Sequence, residues 1–229
     1  MRATIAAVAV ILPCLSFSQS KQTRNSLTVF HMAGWPLEPG EFNEYWRPGN
    51  GIGIEYGSQI ATRVEWTVSA AYVQFGANGQ ALASRFNPYL TAGGAFFFSH
   101  GEYKAGLFKT SLAIVLSDPH LPVVFFVRAG AGLHLLYQRD LSYSERYPSG
   151  VVDGRIRLGG SEATPAIDAG LGLEFRLAKR IMAVLEGGTH CLFTKDLVGN
   201  EDRKAEMVSR AQGKTTLFAH LQTGLRYLF

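Results

Sequence analysis

Residues Leu217–Phe229, LFAHLQTGLRYLF, alternate with period two and run to an aromatic last residue. Leu217, Ala219, Leu221, Thr223, Leu225, Tyr227 and Phe229 share one parity; Phe218, His220, Gln222, Gly224, Arg226 and Leu228 share the other. Successive side chains of an extended chain point to opposite faces, so the segment has one apolar face and one mixed, partly charged face. At 13 residues it exceeds the roughly 9–11 that a tilted strand needs to cross a bilayer.

Upstream, seven further segments alternate in the same way, near 26–33, 51–57, 62–75, 107–117, 122–137, 163–177 and 180–193. Their connections fall into two kinds. Ser58 to Ala61, Asp118 to Leu121 and Ala178-Lys179 are short, whereas 34–50, 76–106, 138–162 and 194–214 are long. Alternation of short and long places every short turn at one end of a closed sheet and every long loop at the other, the rhythm of a transmembrane barrel. The expected fold is all-β: an eight-stranded antiparallel up-and-down transmembrane β-barrel with short periplasmic turns and long extracellular loops.

Charges keep to one parity. Phe125, Val127, Ala129, Ala131, Leu133, Leu135 and Tyr137 oppose Arg128, Gly130, Gly132, His134 and Gln138. Ile167, Ala169, Leu171, Leu173 and Phe175 oppose Asp168, Gly170, Gly172, Glu174 and Arg176. Because a Lys or Arg facing lipid at mid-bilayer costs about 2–4 kcal/mol, this segregation matches an apolar face turned to hydrocarbon. A soluble periplasmic lipocalin-like carrier would turn the same face inward around an apolar ligand. The Gly- and Ala-rich charged face suits a crowded interior better, and aromatics at strand ends fit two interfacial girdles. The first strand has no clearly apolar parity, which leaves His31 unoriented. The apolar stretch 87–99, with Phe96-Phe97-Phe98, reads as a loop packed over the mouth, a strand extension, or last an extra hairpin making ten strands.

Residues 1–18 read as a secretory signal: Arg2, an apolar run from Ala3 to Leu15, and the small-x-small site Ser16-Phe17-Ser18. Pro13 stands where a lipidated Cys14 would need a small residue. The expected organisation is a signal peptide over 1–18 and a barrel over 19–229. Cleavage leaves 21 basic against 18 acidic side chains and only Cys191, which excludes an internal disulfide and argues against nucleic acid.

The short-turn rhythm, the ending Leu225-Arg226-Tyr227-Leu228-Phe229, and the segment Gly40-Glu41-Phe42-Asn43-Glu44-Tyr45-Trp46 followed by Gly49-Asn50-Gly51-Ile52-Gly53-Ile54-Glu55-Tyr56 resemble the small bacterial outer-membrane β-barrels. These are the outer membrane protein beta-barrel domain family, related in architecture to the OmpA transmembrane domain and to OmpX. The resemblance implies a Gram-negative cell outer membrane. It implies as partners the membrane's lipids, the barrel-assembly machinery and periplasmic chaperones, with Leu225, Tyr227 and Phe229 as the assembly signal. The chain departs from full-length OmpA by ending at the barrel, so the periplasmic peptidoglycan-binding domain is not expected.

The inward set brings Glu55, Glu65, Asp168, Glu174 and Glu186 against Arg63, Lys109, Arg128, Arg176 and Arg226. Five acids facing five bases read as a paired charge network inside a barrel too narrow for more than side chains. An ion pathway is the functional alternative. No His is followed two residues later by Ser, the pair that lipid-acting barrel enzymes use; Glu186 and His190 share a face, but a bonded structural pair is the plainer reading. No catalytic residue, metal ligand or cofactor is expected. The long loops, whose formal charges cancel, carry Trp35, Phe42, Tyr45, Trp46, Tyr143 and Tyr147 toward headgroups or toward an extracellular protein or glycan. The reading is a monomeric, non-enzymatic barrel with a structural or surface-interaction role. The alternatives are the carrier, a narrow pore, or a lipid-modifying enzyme.

Overall fold

A computed structural model describes residues 24–38, 40–87, 94–119, 121–156, 160–193 and 215–229. The expected signal peptide and most of the last long loop, residues 194–214, lie outside them. Eight strands close a barrel: β1 (Asn25–Glu38), β2 (Gly49–Ala61), β3 (Val64–Gly76), β5 (Glu102–Val115), β6 (Val123–Gln138), β9 (Gly160–Ala178), β10 (Ile181–Leu192) and β11 (Thr216–Leu228). The order around the wall is β1-β11-β10-β9-β6-β5-β3-β2, with every neighbouring pair antiparallel. The deciding C-terminal segment is the seam: it pairs with β10 on one side and β1 on the other. Phe229 N donates to Asn25 O at 3.0 Å, and Asn25 N to Phe229 O at 3.3 Å. Closure leaves no strand edge, which a hydrocarbon environment requires.

The parity reading fixes which face is which. Val29, Ile54, Leu171, Leu221 and Leu225 are exposed, Leu171 at 68 % and Leu221 at 41 %, while Glu55, Lys109, Arg128, Glu186 and Arg226 are buried inside. Greasy side chains therefore face out, opposite to what the carrier reading needs. His31 pairs opposite Ile52 and Thr223 and is exposed, on the outward parity of β1. A cationic probe tests this orientation. Leu171→Arg is expected to lose about 2–4 kcal/mol in denaturant unfolding from lipid vesicles; an unchanged midpoint would mean that the position does not meet hydrocarbon.

Above the barrel sits an ordered cap. It contains α1 (Gly40–Tyr45), α2 (Gly79–Phe86) and a three-stranded sheet of β4 (Ala95–His100), β7 (Leu141–Tyr147) and β8 (Gly150–Ile156), in the order β4-β7-β8. The described part of the apolar stretch 87–99 thus enters the cap and adds no strand to the barrel; residues 88–93 lie outside the described residues. Its last part pairs with the hairpin of the next long loop, Phe97 opposite Ser144 and Phe98 opposite Tyr143. Asn78 starts α2: its Oδ1 accepts from Ala81 N at 3.4 Å, and its Nδ2 donates to Glu44 O at 3.0 Å, tying α2 to α1. Leu82 and Phe86 form the buried face of α2.

Candidate functional site

The fold gathers its chemistry in the lumen, which is layered along its axis. At the periplasmic end, glycines on the inward face leave room for long ionised side chains. Arg128 from β6 grips Glu55 from β2 with both terminal nitrogens, Nη1 to Oε2 at 2.5 Å and Nη2 to Oε1 at 3.0 Å. Its Nη1 also lies 3.2 Å from Glu186 Oε2. Arg226 reaches Glu55 at 3.2 Å and Glu65 at 2.9 Å, and its Nη1 also pairs with Glu174. Its Nε donates to Thr28 Oγ1 at 3.1 Å, and Ser26 Oγ donates to Glu65 Oε1 at 2.9 Å. Lys109 and Asp168 form a separate buried pair at 3.0 Å. A bidentate guanidinium–carboxylate contact fixes geometry as well as charge.

Eight of the ten charged residues assigned inward from sequence thus meet in the barrel, and two do not. Arg63 is exposed in the β2–β3 turn. Arg176 is exposed near the β9–β10 turn, where its Nη2 donates to Pro119 O at 3.1 Å. Both stand at the periplasmic rim, where parity no longer means enclosure. Among the described residues the interior balance is therefore five carboxylates against three bases, not five against five. Leu225, Tyr227 and Phe229 are exposed on the outer wall, with the Tyr227 and Phe229 rings 6.3 Å apart.

Midway up, the rings of His134, His190 and His220 succeed one another. Centroids are 5.5 Å apart for His134–His190 and 4.5 Å for His190–His220, and all three residues are buried. The carboxylate of Glu186 faces His220, at 3.9 Å from Nε2; His190 instead stacks on Phe218 at 4.8 Å. The wall here is close-packed. A Cβ on Gly188 would stand 2.8 Å from both Gly170 Cα and His220 Cε1, so Gly188→Ala is expected to cost about 1–3 kcal/mol by overpacking, read from vesicle unfolding. Among the described residues, no group of three His, Cys, Asp or Glu side chains converges as a metal site.

The extracellular half of the lumen holds no charge network among the described residues. Phe30, Met32, Val73, Phe75, Leu107, Leu136, Leu192 and Phe218 are buried in one apolar cluster that continues into the cap through Trp46, Tyr103, Leu82, Phe86 and Phe96. Phe75 meets Phe218 edge-on at 5.6 Å and Tyr103 at 5.9 Å; Trp46 meets Tyr103 at 5.8 Å. Higher, the rings of Phe86, Phe96, Phe98 and Tyr143 pack at tilted or edge-on angles with centroids 5.4–6.1 Å apart. Sequence reading passed over this plug because it followed charges. The usable signal was there: inward positions toward the long-loop ends are apolar or aromatic. A 250 Å³ cleft at the junction of barrel and cap is lined by Gln74, Phe98, Glu102 and Arg139. Its polar groups engage one another, Gln74 donating to Glu102 at 3.0 Å and Lys104 pairing with Glu102 at 2.7 Å.

A closed antiparallel barrel with a lipid-compatible exterior and a charged, packed interior is a transmembrane β-barrel of the outer-membrane type. Solved structures similar to it are of that class. The attachment invasion locus protein Ail of Yersinia pestis, solved in complex with the heparin analogue sucrose octasulfate, is 11% identical over 91% of this chain and 100% of that one, with TM-score 0.44. Neisserial surface protein A is 13% identical over 93% and 100%, with TM-score 0.47. A major outer membrane protein of Thermus thermophilus is 14% identical over 90% and 99%, with TM-score 0.48. No family model matches the sequence, and no curated protein matches it.

Proposed function

We propose that this chain is a non-enzymatic, monomeric barrel of the outer membrane, exported by a signal over residues 1–18, that keeps its lumen shut and works through its extracellular cap. The observation that carries the reading is the continuous apolar plug from Phe30 and Phe218 to Phe86 and Phe96. An open path needs free space along its whole length, and here the upper half of the axis is filled with packed rings. Binding residues are disproportionately found on loops held by a rigid scaffold, and this cap is held by side-chain capping, a sheet of its own and the shared core. Its sheet exposes Phe97, Val151 and Val152, with the Arg146 guanidinium 4.5 Å over the Phe97 ring. Aromatic and aliphatic surface beside cations suits an extracellular protein or glycan. Leu225, Tyr227 and Phe229, outward at the periplasmic end of β11, fit the proposed role of assembly signal, which periplasmic chaperones and the assembly machinery would read.

Liposome swelling and planar-bilayer recordings test the closed lumen. Purified protein is expected to admit neither small sugars nor ions above the protein-free rate. A steady conductance would overturn the reading in favour of a narrow pore. Hydrolysis of labelled phospholipid or lipid A by the same preparation would overturn the non-enzymatic part.

A further inference from the structure

The outer wall of the barrel carries a polar patch of its own at the extracellular rim. Val73 and Phe75 on β3, and Tyr103 and Ala105 on β5, are buried inward. Alternation therefore turns Gln74, Gly76, Glu102 and Lys104 to the outside. On β6, Tyr137 is exposed on the lipid-facing parity, and Arg139, two residues further, continues that face. Register brings the three strands level. Lys104 pairs with Gln74 on one side and Tyr137 on the other. Gly76 pairs with Glu102, whose carbonyl accepts from Arg139 N at 2.9 Å. Tyr72 and Tyr137 set the depth: both face outward near the long-loop end, where the aromatic rings of a membrane barrel lie among lipid headgroups. Glu102 and Arg139 stand one step above them.

The cap overhangs this step. Gly79 of α2 and Phe98 of β4 enclose the 250 Å³ cleft against Gln74, Gly76, Glu102 and Arg139. A chain of bonds holds its rim in place. Tyr72 Oη donates to Gln74 Oε1 at 3.0 Å, Gln74 Nε2 donates to Glu102 Oε1 at 3.0 Å, and Lys104 Nζ lies 2.7 Å from Glu102 Oε2. Arg139 Nη1 stands 3.9 Å from the same carboxylate, beyond hydrogen-bond distance, and its side chain is 62 % exposed. Among these residues two cations answer one carboxylate, so one positive charge and a guanidinium fork remain beside the cleft. The space is open on the wall side, because a Cβ on Gly76 would meet nothing within 4 Å.

We propose that this cleft seats the phosphate of a lipid in the extracellular leaflet, with Arg139 and Lys104 on its oxygens. The planar guanidinium matches two phosphate oxygens. An anion answers the surplus charge, and the depth is that of a headgroup. Below the tyrosines the wall offers acyl chains an exposed apolar surface through Phe108 and Leu135. The recess under the cap admits a small group rather than a protein surface. This site depends neither on the closed lumen nor on what the cap binds.

Native mass spectrometry of the detergent-purified full chain reads bound lipid directly. The barrel is expected to retain phosphatidylglycerol, whose phosphate charge is uncompensated, in preference to phosphatidylcholine, whose ammonium shields it. Arg139→Gln should weaken phosphatidylglycerol retention about fivefold, the factor that one cation contributes at an anionic lipid surface. Gly76→Leu keeps every charge but fills the cleft, and should prevent retention. Arg176→Gln, which removes an exposed cation at the opposite rim, should leave it unchanged. Equal retention of the two lipids, or retention indifferent to both Arg139→Gln and Gly76→Leu, would overturn the proposal. So would an equal loss in Arg176→Gln, which would reduce the effect to net charge. Displacement of the lipid by inorganic phosphate would overturn it in favour of a site for a soluble anion.

Discussion

Replacing Arg128 with Leu is expected to remove about 3–5 kcal/mol of stability, as read from reversible denaturant unfolding in phospholipid vesicles. The size follows from what is left behind. Glu55 and Glu186 each have side chains only about 1 % or less exposed, and both take their charge compensation from the Arg128 guanidinium. Glu55 would keep Arg226 at 3.2 Å, while Glu186 would keep no guanidinium within contact, its nearest remaining group being the imidazole of His220 at 3.9 Å. An ion stranded in a low-dielectric interior costs far more than the pair contributed while intact. The same logic predicts rescue: Glu186→Gln added to Arg128→Leu should recover a substantial part of the loss, because the second change removes the stranded charge. A cycle showing simple additivity between the two would refute direct coupling. Arg176→Leu serves as the contrast. Arg176 is exposed and donates to a turn carbonyl, so its loss should stay within about 0.5 kcal/mol.

That contrast marks where the sequence was legible. Period-two alternation places Arg128 and Arg176 on the same inward parity, and nothing in the alternation tells the middle of a wall from its rim. Depth comes from register, and register is set by pairing among all eight strands. Strand number, connection rhythm and facing were readable because each is a local property repeated along the chain. The five-to-three interior balance was not, because it depends on where Arg63 and Arg176 stop being enclosed. The cap was partly readable. Phe96-Phe97-Phe98 announced burial, but its partner strands lie in another loop more than forty residues away, and no local period links them. The histidine succession was hidden for the same reason: His134, His190 and His220 come from three strands and meet only through the curvature of the barrel.

Truncating Phe75 to Ala is expected to cost about 3–5 kcal/mol, a loss of the same order with a different origin. Phe75 has no measurable exposure and sits where the barrel wall hands over to the cap, against Phe218 at 5.6 Å and Tyr103 at 5.9 Å. Gly49 on the adjacent β2 and Gly34 on β1 beyond it lie against its ring: a Cβ on Gly34 would stand 3.1 Å from Phe75 Cζ. Small residues there leave backbone around the ring rather than side chains able to collapse into its space, so the cavity should persist and its cost be paid nearly in full. The truncation also separates two kinds of plug. If Phe75 seals the axis, the variant should pass small ions in planar bilayers while Arg128→Leu, which leaves the rings in place, stays closed. If instead the charge layer is the barrier, the order reverses: Arg128→Leu conducts and Phe75→Ala does not. Phe75→Leu, which restores most of the volume without the ring, should regain much of the stability and close the path again, since exclusion of water here depends on filled space rather than on aromatic chemistry.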